Sequence, residues 1–321
     1  MPERRAALLA AGLTGVAAMA SLAGCAALSE GQAAVSVQPM HWRTLQGGFL
    51  PRMVAGAVGG ASPSNGMFVR WMTPSAVALR GADLLVADAG TGRLWRADVA
   101  SSAIVEVAGV PVGVGMSMDL GPDLSVWVLD PSTRQVLCFA RDGRLLHSRS
   151  IDTGIGSPVA LALADGGNTL IVADGALAQW SEQRGTGELL RSVAPQLASG
   201  QRITGVDALA LGRDSVFVLD RLAGAVHRVS RRGAVLKTFG QGELKRPLAI
   251  AVDRKDRVYV HDAQDDSVKR LAAGVPTRRW TAADLGVQQI GGLAVDGPML
   301  AVTDALAGTA VLHSFSNEAS I

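Results

Sequence analysis

Aromatic residues are scarce: Phe, Trp and Tyr make up 4% of 321 residues, with a single tyrosine. A sugar-binding role is weakened, because few rings are available to stack on a glycan; Trp42, Trp71, Trp95, Trp127, Trp180 and Trp280 are the candidates. Cysteine is nearly absent, limited to Cys25 and Cys138. Cys138, in "QVLCFA", has no Cys or His cluster around it and reads as a small buried hydrophobe. Excess charge is lacking too: 30 basic against 28 acidic residues give a formal +2, which argues against a nucleic-acid binder. Glycine, by contrast, is plentiful at 38 residues. Short strands joined by many tight turns produce that profile, since glycine supplies the positive φ that such turns demand.

The chain has one long apolar run, at its N-terminus. Arg4 and Arg5 precede "AALLAAGLTGVAAMA" (6–20), which is too short and too rich in Ala and Gly for a membrane span. "SLAGC" follows. The segment Leu22–Cys25 resembles the lipobox of bacterial lipoproteins, in which the cysteine thiol is acylated and becomes the new N-terminus. That resemblance implies a signal peptide over 1–24, a lipidated Cys25 and membrane attachment through acyl chains, each buried methylene contributing about 0.8 kcal/mol. Ala26 in place of Asp implies, by analogy with Gram-negative sorting, the outer membrane. "ERRAALL" lacks most of a twin-arginine export motif. With Cys25 acylated, no intrachain disulfide can form.

A repeat runs through the rest. "LLVAD", "VWVLD", "LIVAD", "VFVLD", "VYVHD" and "MLAVTD" end at Asp88, Asp130, Asp174, Asp220, Asp262 and Asp304, at intervals of 42, 44, 46, 42 and 42 residues. Before each Asp lies another apolar run, such as "ALAL" or "AIAV", separated by turn residues. After it come a polar turn and a third run ("GRLWRA", "AVHRVS"), and in several copies a fourth ("IVEVAG", "AVLKTF"). Four short strands per unit of this length are the signature of a β-propeller blade, and blades must stack to bury their faces. The expectation is therefore an all-β, six-bladed propeller of four-stranded blades. The stretch "RPLAIAVDRKDRVYVHDAQDDSVKRL" (246–271) resembles an NHL repeat, and the resemblance extends over about 74–316. The last copy has three strands before the chain ends, so a strand must come from elsewhere to avoid an exposed edge. "RMVAG" (52–56) is similar to "VEVAG" (105–109), which predicts closure by residues 49–56. The expected domains are a signal peptide (1–24), a tether carrying lipidated Cys25 with room for a peripheral strand (25–48), the propeller (49–316, with 57–73 as a rim insertion) and a short tail (317–321).

The six aspartates recur at one point of every blade, which assigns them to the blade itself: Asp at a strand end accepts backbone N–H groups in an Asx-turn. Two enzyme groups with comparable propellers form the alternative to a scaffold. Gluconolactonase-like hydrolases hold a divalent cation with Glu, Asn and Asp, but no Glu opens an early blade here and only Asn65, Asn168 and Asn317 exist. Peptidyl-hydroxyglycine lyases need several channel histidines for zinc, whereas His41, His147, His227, His261 and His313 occupy differing strand positions. No catalytic residues, metal ligands or cofactor are assigned, apart from the covalent lipid on Cys25. All four lysines fall within 228–279, a segment of thirteen basic and six acidic residues. It predicts a basic sector with Arg231, Arg232, Lys245, Arg246, Lys269 and Arg270 as a docking surface for an envelope protein or anionic envelope component. The functional expectation is an envelope lipoprotein whose propeller is a non-catalytic interaction scaffold, the alternative a metal-dependent lyase- or lactonase-like enzyme.

Overall fold

Each of the repeated apolar runs becomes the second strand of a four-stranded antiparallel blade. The computed structural model describes residues 38–315 except 52–65, 111, 114–115, 152–154, 185–187 and 273–274. Blade 1 comprises Pro74–Arg80, Asp83–Asp88, Arg93–Asp98 and Ile104–Val107; blade 2, Met118–Leu120, Val126–Asp130, Gln135–Phe139 and Leu145–Ser150; blade 3, Pro158–Ala164, Thr169–Asp174, Gln179–Arg184 and Leu189–Val193. Blade 4 comprises Ala208–Leu211, Ser215–Asp220, Ala225–Ser230 and Val235–Phe239; blade 5, Pro247–Val252, Val258–Asp262, Ser267–Ala272 and Val275–Thr281. Blade 6 joins Ile290–Asp296, Met299–Asp304 and Thr309–Ser314 to Met40–Leu45. The six blades form the ring of a β-propeller.

Second strands such as "DLLVAD" and "SVFVLD" are buried along their whole length. They are flanked by strands on both edges and by neighbouring blades on both faces, so near-continuous apolar runs replace simple alternation. The core is divided into six clusters, one per blade interface. Between blades 3 and 4, for example, Ile171, Ala173 and Trp180 pack with Val216, Val218 and Val229. Full burial of each Val or Leu contributes about 1.5–3 kcal/mol.

Closure does come from the N-terminal side, but not from residues 49–56. Met40–Leu45 pairs antiparallel with Thr309–Ser314, with Thr44 opposite Val311 and Leu45 opposite Ala310. Two contacts select this segment. Leu45 enters the core between blades 6 and 1, and the Arg43 guanidinium donates to the Ala100 carbonyl (2.9 Å) and Ser102 Oγ (2.8 Å) of blade 1. Gly47–Phe49 instead pairs with Phe68–Arg70 in a separate two-stranded sheet, while 52–56 lies outside the described residues. The propeller therefore begins inside the expected tether. Within the expected rim insertion, Trp71 is buried in the same core cluster.

Tryptophan is spent on packing. Trp71, Trp95, Trp127, Trp180 and Trp280 are buried, and Trp42 alone is exposed. That distribution leaves a glycan little to stack on.

Candidate functional site

The repeated aspartates define one face of the ring. The first strand of a blade starts where its second strand ends, as Pro74 opposite Asp88 and Pro247 opposite Asp262 show. In five of the six blades the aspartate there bonds, among the described residues, both the loop entering the blade and its own turn. Asp88 accepts N–H groups of Met72 (3.0 Å), Thr73 (2.7 Å) and Gly90 (3.2 Å). Asp304 does the same with Gln288 (2.6 Å), Gln289 (3.3 Å), Leu306 (3.0 Å) and Ala307 (3.0 Å). Asp174 accepts from Gly156 and Ala176, and Asp220 from Thr204, Gly205 and Ala223. Asp130 accepts from Ser132 and Thr133 of its own turn. Asp262 accepts from Lys245, Arg246 and Gln264 and from the Lys269 ammonium (2.6 Å). Burial opposes the Asp262 charge, but these donors outweigh it and hold the carboxyl down to about 2. These six clamps fix the loops of what we call the clamp face.

At the centre of that face the first strands surround the channel. Ser75, Met116, Val159, Asp207, Leu248 and Gly291 occupy the equivalent mouth position in blades 1 to 6. A cavity of about 300 Å³ lies within the channel. It adjoins one of about 560 Å³ over blades 2 to 4. Met116, Ser117, Val159, Asp207 and Arg221 line both. The Arg221 backbone N–H donates to Asp207 Oδ2 (2.8 Å), and its guanidinium donates through Nη2 to the Leu248 carbonyl (3.1 Å). Both residues escaped the sequence reading. Their signal was one departure from the repeat: Asp207 precedes "ALAL" where other blades carry Ser, Met, Val, Leu or Gly.

Around the mouth, Met72, Val159, Leu177, Leu222, Leu248 and Leu306 are exposed apolar side chains; Leu222 is 83% exposed. Leu177, Leu222 and Leu306 sit in the turns directly after Asp174, Asp220 and Asp304. Among the described residues, the hairpins joining first and second strands on the opposite face expose no large apolar side chain. Those hairpins carry charge and turn residues, such as Arg213, Asp214, Arg254 and Lys255.

The six basic residues do not converge on one face. Lys245 and Arg246 are exposed on the clamp face, in the loop entering blade 5. Arg231 and Arg232 lie in the turn before the outer strand of blade 4, on the opposite face, with Arg231 Nε 2.6 Å from Glu182 Oε1. Lys269 and Arg270 are buried in the third strand of blade 5; Lys269 pairs with Asp262 and Asp265.

The histidines are likewise dispersed. His227 sits beside Thr238 Oγ1 (3.0 Å), His261 beside Asp266 (3.0 Å) and His313 beside the Leu285 carbonyl (3.1 Å). Burial pushes all three below the usual imidazole value. Among the described residues no three His, Cys, Asp or Glu side chains are grouped to hold a metal ion. Cys138 is buried, and burial pushes its thiol up to about 11, leaving it a poor nucleophile. Cys25 lies outside the described residues. No described helix is long and apolar enough to cross a membrane.

No protein-family model matches the chain, and no curated protein matches it. Solved structures do. A structural-genomics protein of unknown function from Bacteroides thetaiotaomicron aligns with a TM-score of 0.59 at 13% identity, over 84% of this chain and 75% of that one. The Cps50 (Swd1) β-propeller domain from Myceliophthora thermophila gives 0.57 at 11% identity, over 77% and 97%. A catalytically inactive virginiamycin B lyase from Staphylococcus aureus with quinupristin gives 0.54 at 13%, over 86% and 98%. At such identities the likeness is one of fold.

Proposed function

We propose that this chain is an envelope lipoprotein, lipidated at Cys25 and held at the outer membrane, whose propeller is a non-catalytic platform for protein partners. The exposed apolar side chains around the channel mouth carry the reading. Met72, Leu177, Leu222 and Leu306 stand on loops that the aspartates pin, and Leu248 on the first strand of blade 5, so a rigid surface presents them with little ordering cost on binding. Lys245 and Arg246 add positive charge beside them, which favours a partner with an apolar patch flanked by carboxylates.

The test is crosslinking from native membranes followed by purification of this chain. A partner captured by wild type and lost in Leu222→Glu/Leu306→Glu, with thermal unfolding unchanged, supports the platform; identical capture by both contradicts it. Cys25→Ser moves the protein from the membrane to the soluble fraction under this reading, and persistent membrane association contradicts the anchor.

A further inference from the structure

We infer that the channel mouth is a binding site for a short apolar peptide carrying both free termini. This goes beyond the platform reading, because it concerns a small ligand in the central cavity and not a protein on the surrounding loops. The site has three chemical parts. One wall, from blades 2 and 3, is mainly apolar, built by Met116, Leu129, Pro131, Pro158 and Val159; Ser132 and Asp130 also line it, with the Asp130 carboxylate taken up by Ser132 and Thr133 of its own turn. Blade 4, next to blade 3, contributes Asp207 and Arg221. The cavity of about 560 Å³ lies within the range of sites that enclose drug-sized ligands.

The two charged groups are available. Among the described residues, Asp207 uses one carboxylate oxygen for the Arg221 backbone N–H, and its other oxygen takes no donor. The Arg221 guanidinium spends one donor on the Leu248 carbonyl, a neutral acceptor, and no carboxylate of the described residues pairs with it. A guanidinium has five N–H donors in a planar fork suited to a carboxylate. The same hydrogen bonds that leave these groups open also hold them: Asp207 is tied to the Arg221 backbone, and the guanidinium to the first strand of blade 5. A peptide ammonium on Asp207, a terminal carboxylate on Arg221 and an apolar side chain on the Met116–Val159 wall satisfy all three parts together. An uncharged apolar ligand leaves both ionic groups unmatched. An anion alone leaves Asp207 repelling it.

Calorimetric titration of the purified full-length protein with leucyl-leucine, its N-acetyl form and its C-terminal amide tests the site. Expected is one-to-one binding of the free dipeptide, weakened at least tenfold by either block. Asp207→Asn, which keeps an acceptor for the Arg221 N–H, loses the discrimination against the N-acetyl form only. Arg221→Met loses the discrimination against the amide only. Absence of leucyl-leucine binding to a protein that unfolds cooperatively overturns the proposal, as does equal binding of free and blocked dipeptides. The outcome is independent of Leu222 and Leu306, so it is separable from a failure of the platform.

Discussion

Asp262 and Asp119 show at the scale of single residues how opposite placements of one side-chain type give opposite pH behaviour. Asp262 is held down to about 2 once its hydrogen-bond donors and the Lys269 ammonium outweigh its burial. Its contribution to stability is therefore complete above the ordinary carboxylate range and is lost as pH falls through about 2. Asp119, in the first strand of blade 2, accepts N–H groups from Leu120 (2.7 Å) and from Leu163 (3.0 Å) of blade 3, yet burial pushes its carboxyl up. Its protonated form is favoured by folding, so it adds stability at low pH that is lost as pH rises through its folded pKa. Thermal unfolding followed from pH 7 to pH 2 should show a steeper acid loss in wild type than in Asp262→Asn, and a shallower one than in Asp119→Ala. At pH 7, Asp262→Asn is expected to cost about 1.5–3 kcal/mol, the worth of a hydrogen bond to a charged group, since Lys269 keeps Asp265 (3.4 Å) as a second carboxylate partner. Equal melting temperatures for wild type and Asp262→Asn at pH 7 would count against the clamp. The six clamps were legible in the sequence because every blade needs one. Asp207 and Arg221 were not, since each occurs once within a repeat and neither spacing nor residue type marks a singular departure as a site.

The closing strand decides stability at the scale of the element. Met40–Leu45 covers the edge of Thr309–Ser314, and its one deeply buried side chain is Leu45. A chain beginning at Gln46 should therefore melt at a lower temperature than one beginning at Gln38 and should self-associate through the bared edge, as differential scanning calorimetry and sedimentation velocity would report. Within the ring, Leu45→Ala is expected to cost about 2–5 kcal/mol by leaving a cavity between blades 6 and 1. An unchanged melting temperature in the shorter chain would remove this strand from the closure. Sequence pattern placed the strand about ten residues downstream for a physical reason. "MHWRTL" has little inward apolar pattern of its own, and its partner lies at the other end of the chain. By contrast the blades were readable because their second strands are buried on both faces and must be apolar throughout. The basic sector failed to assemble for a related reason: successive turns of a blade point to opposite faces, so neighbours in sequence such as Arg232 and Lys245 are parted by one strand length.

The described residues of the propeller form a ring with two unlike faces. One carries charged hairpins between first and second strands, with Leu145, Leu190 and Leu236 exposed near the starts of outer strands. The other is pinned by aspartates, rimmed by exposed leucines and opened at its centre by a cavity with an acid and a base on one wall. The fold was readable from the period of the repeat; the difference between the faces was not, because it depends on which turns share an end of the strands. Under the proposed reading the clamp face meets the partner. Its most direct test places a photo-crosslinking side chain at Leu222 or Leu306, and in separate chains at Arg213 or Arg254, in membranes of the native host. A discrete adduct is expected from the two clamp-face positions and none from the other two. Adducts from Arg213 and Arg254 alone would contradict it.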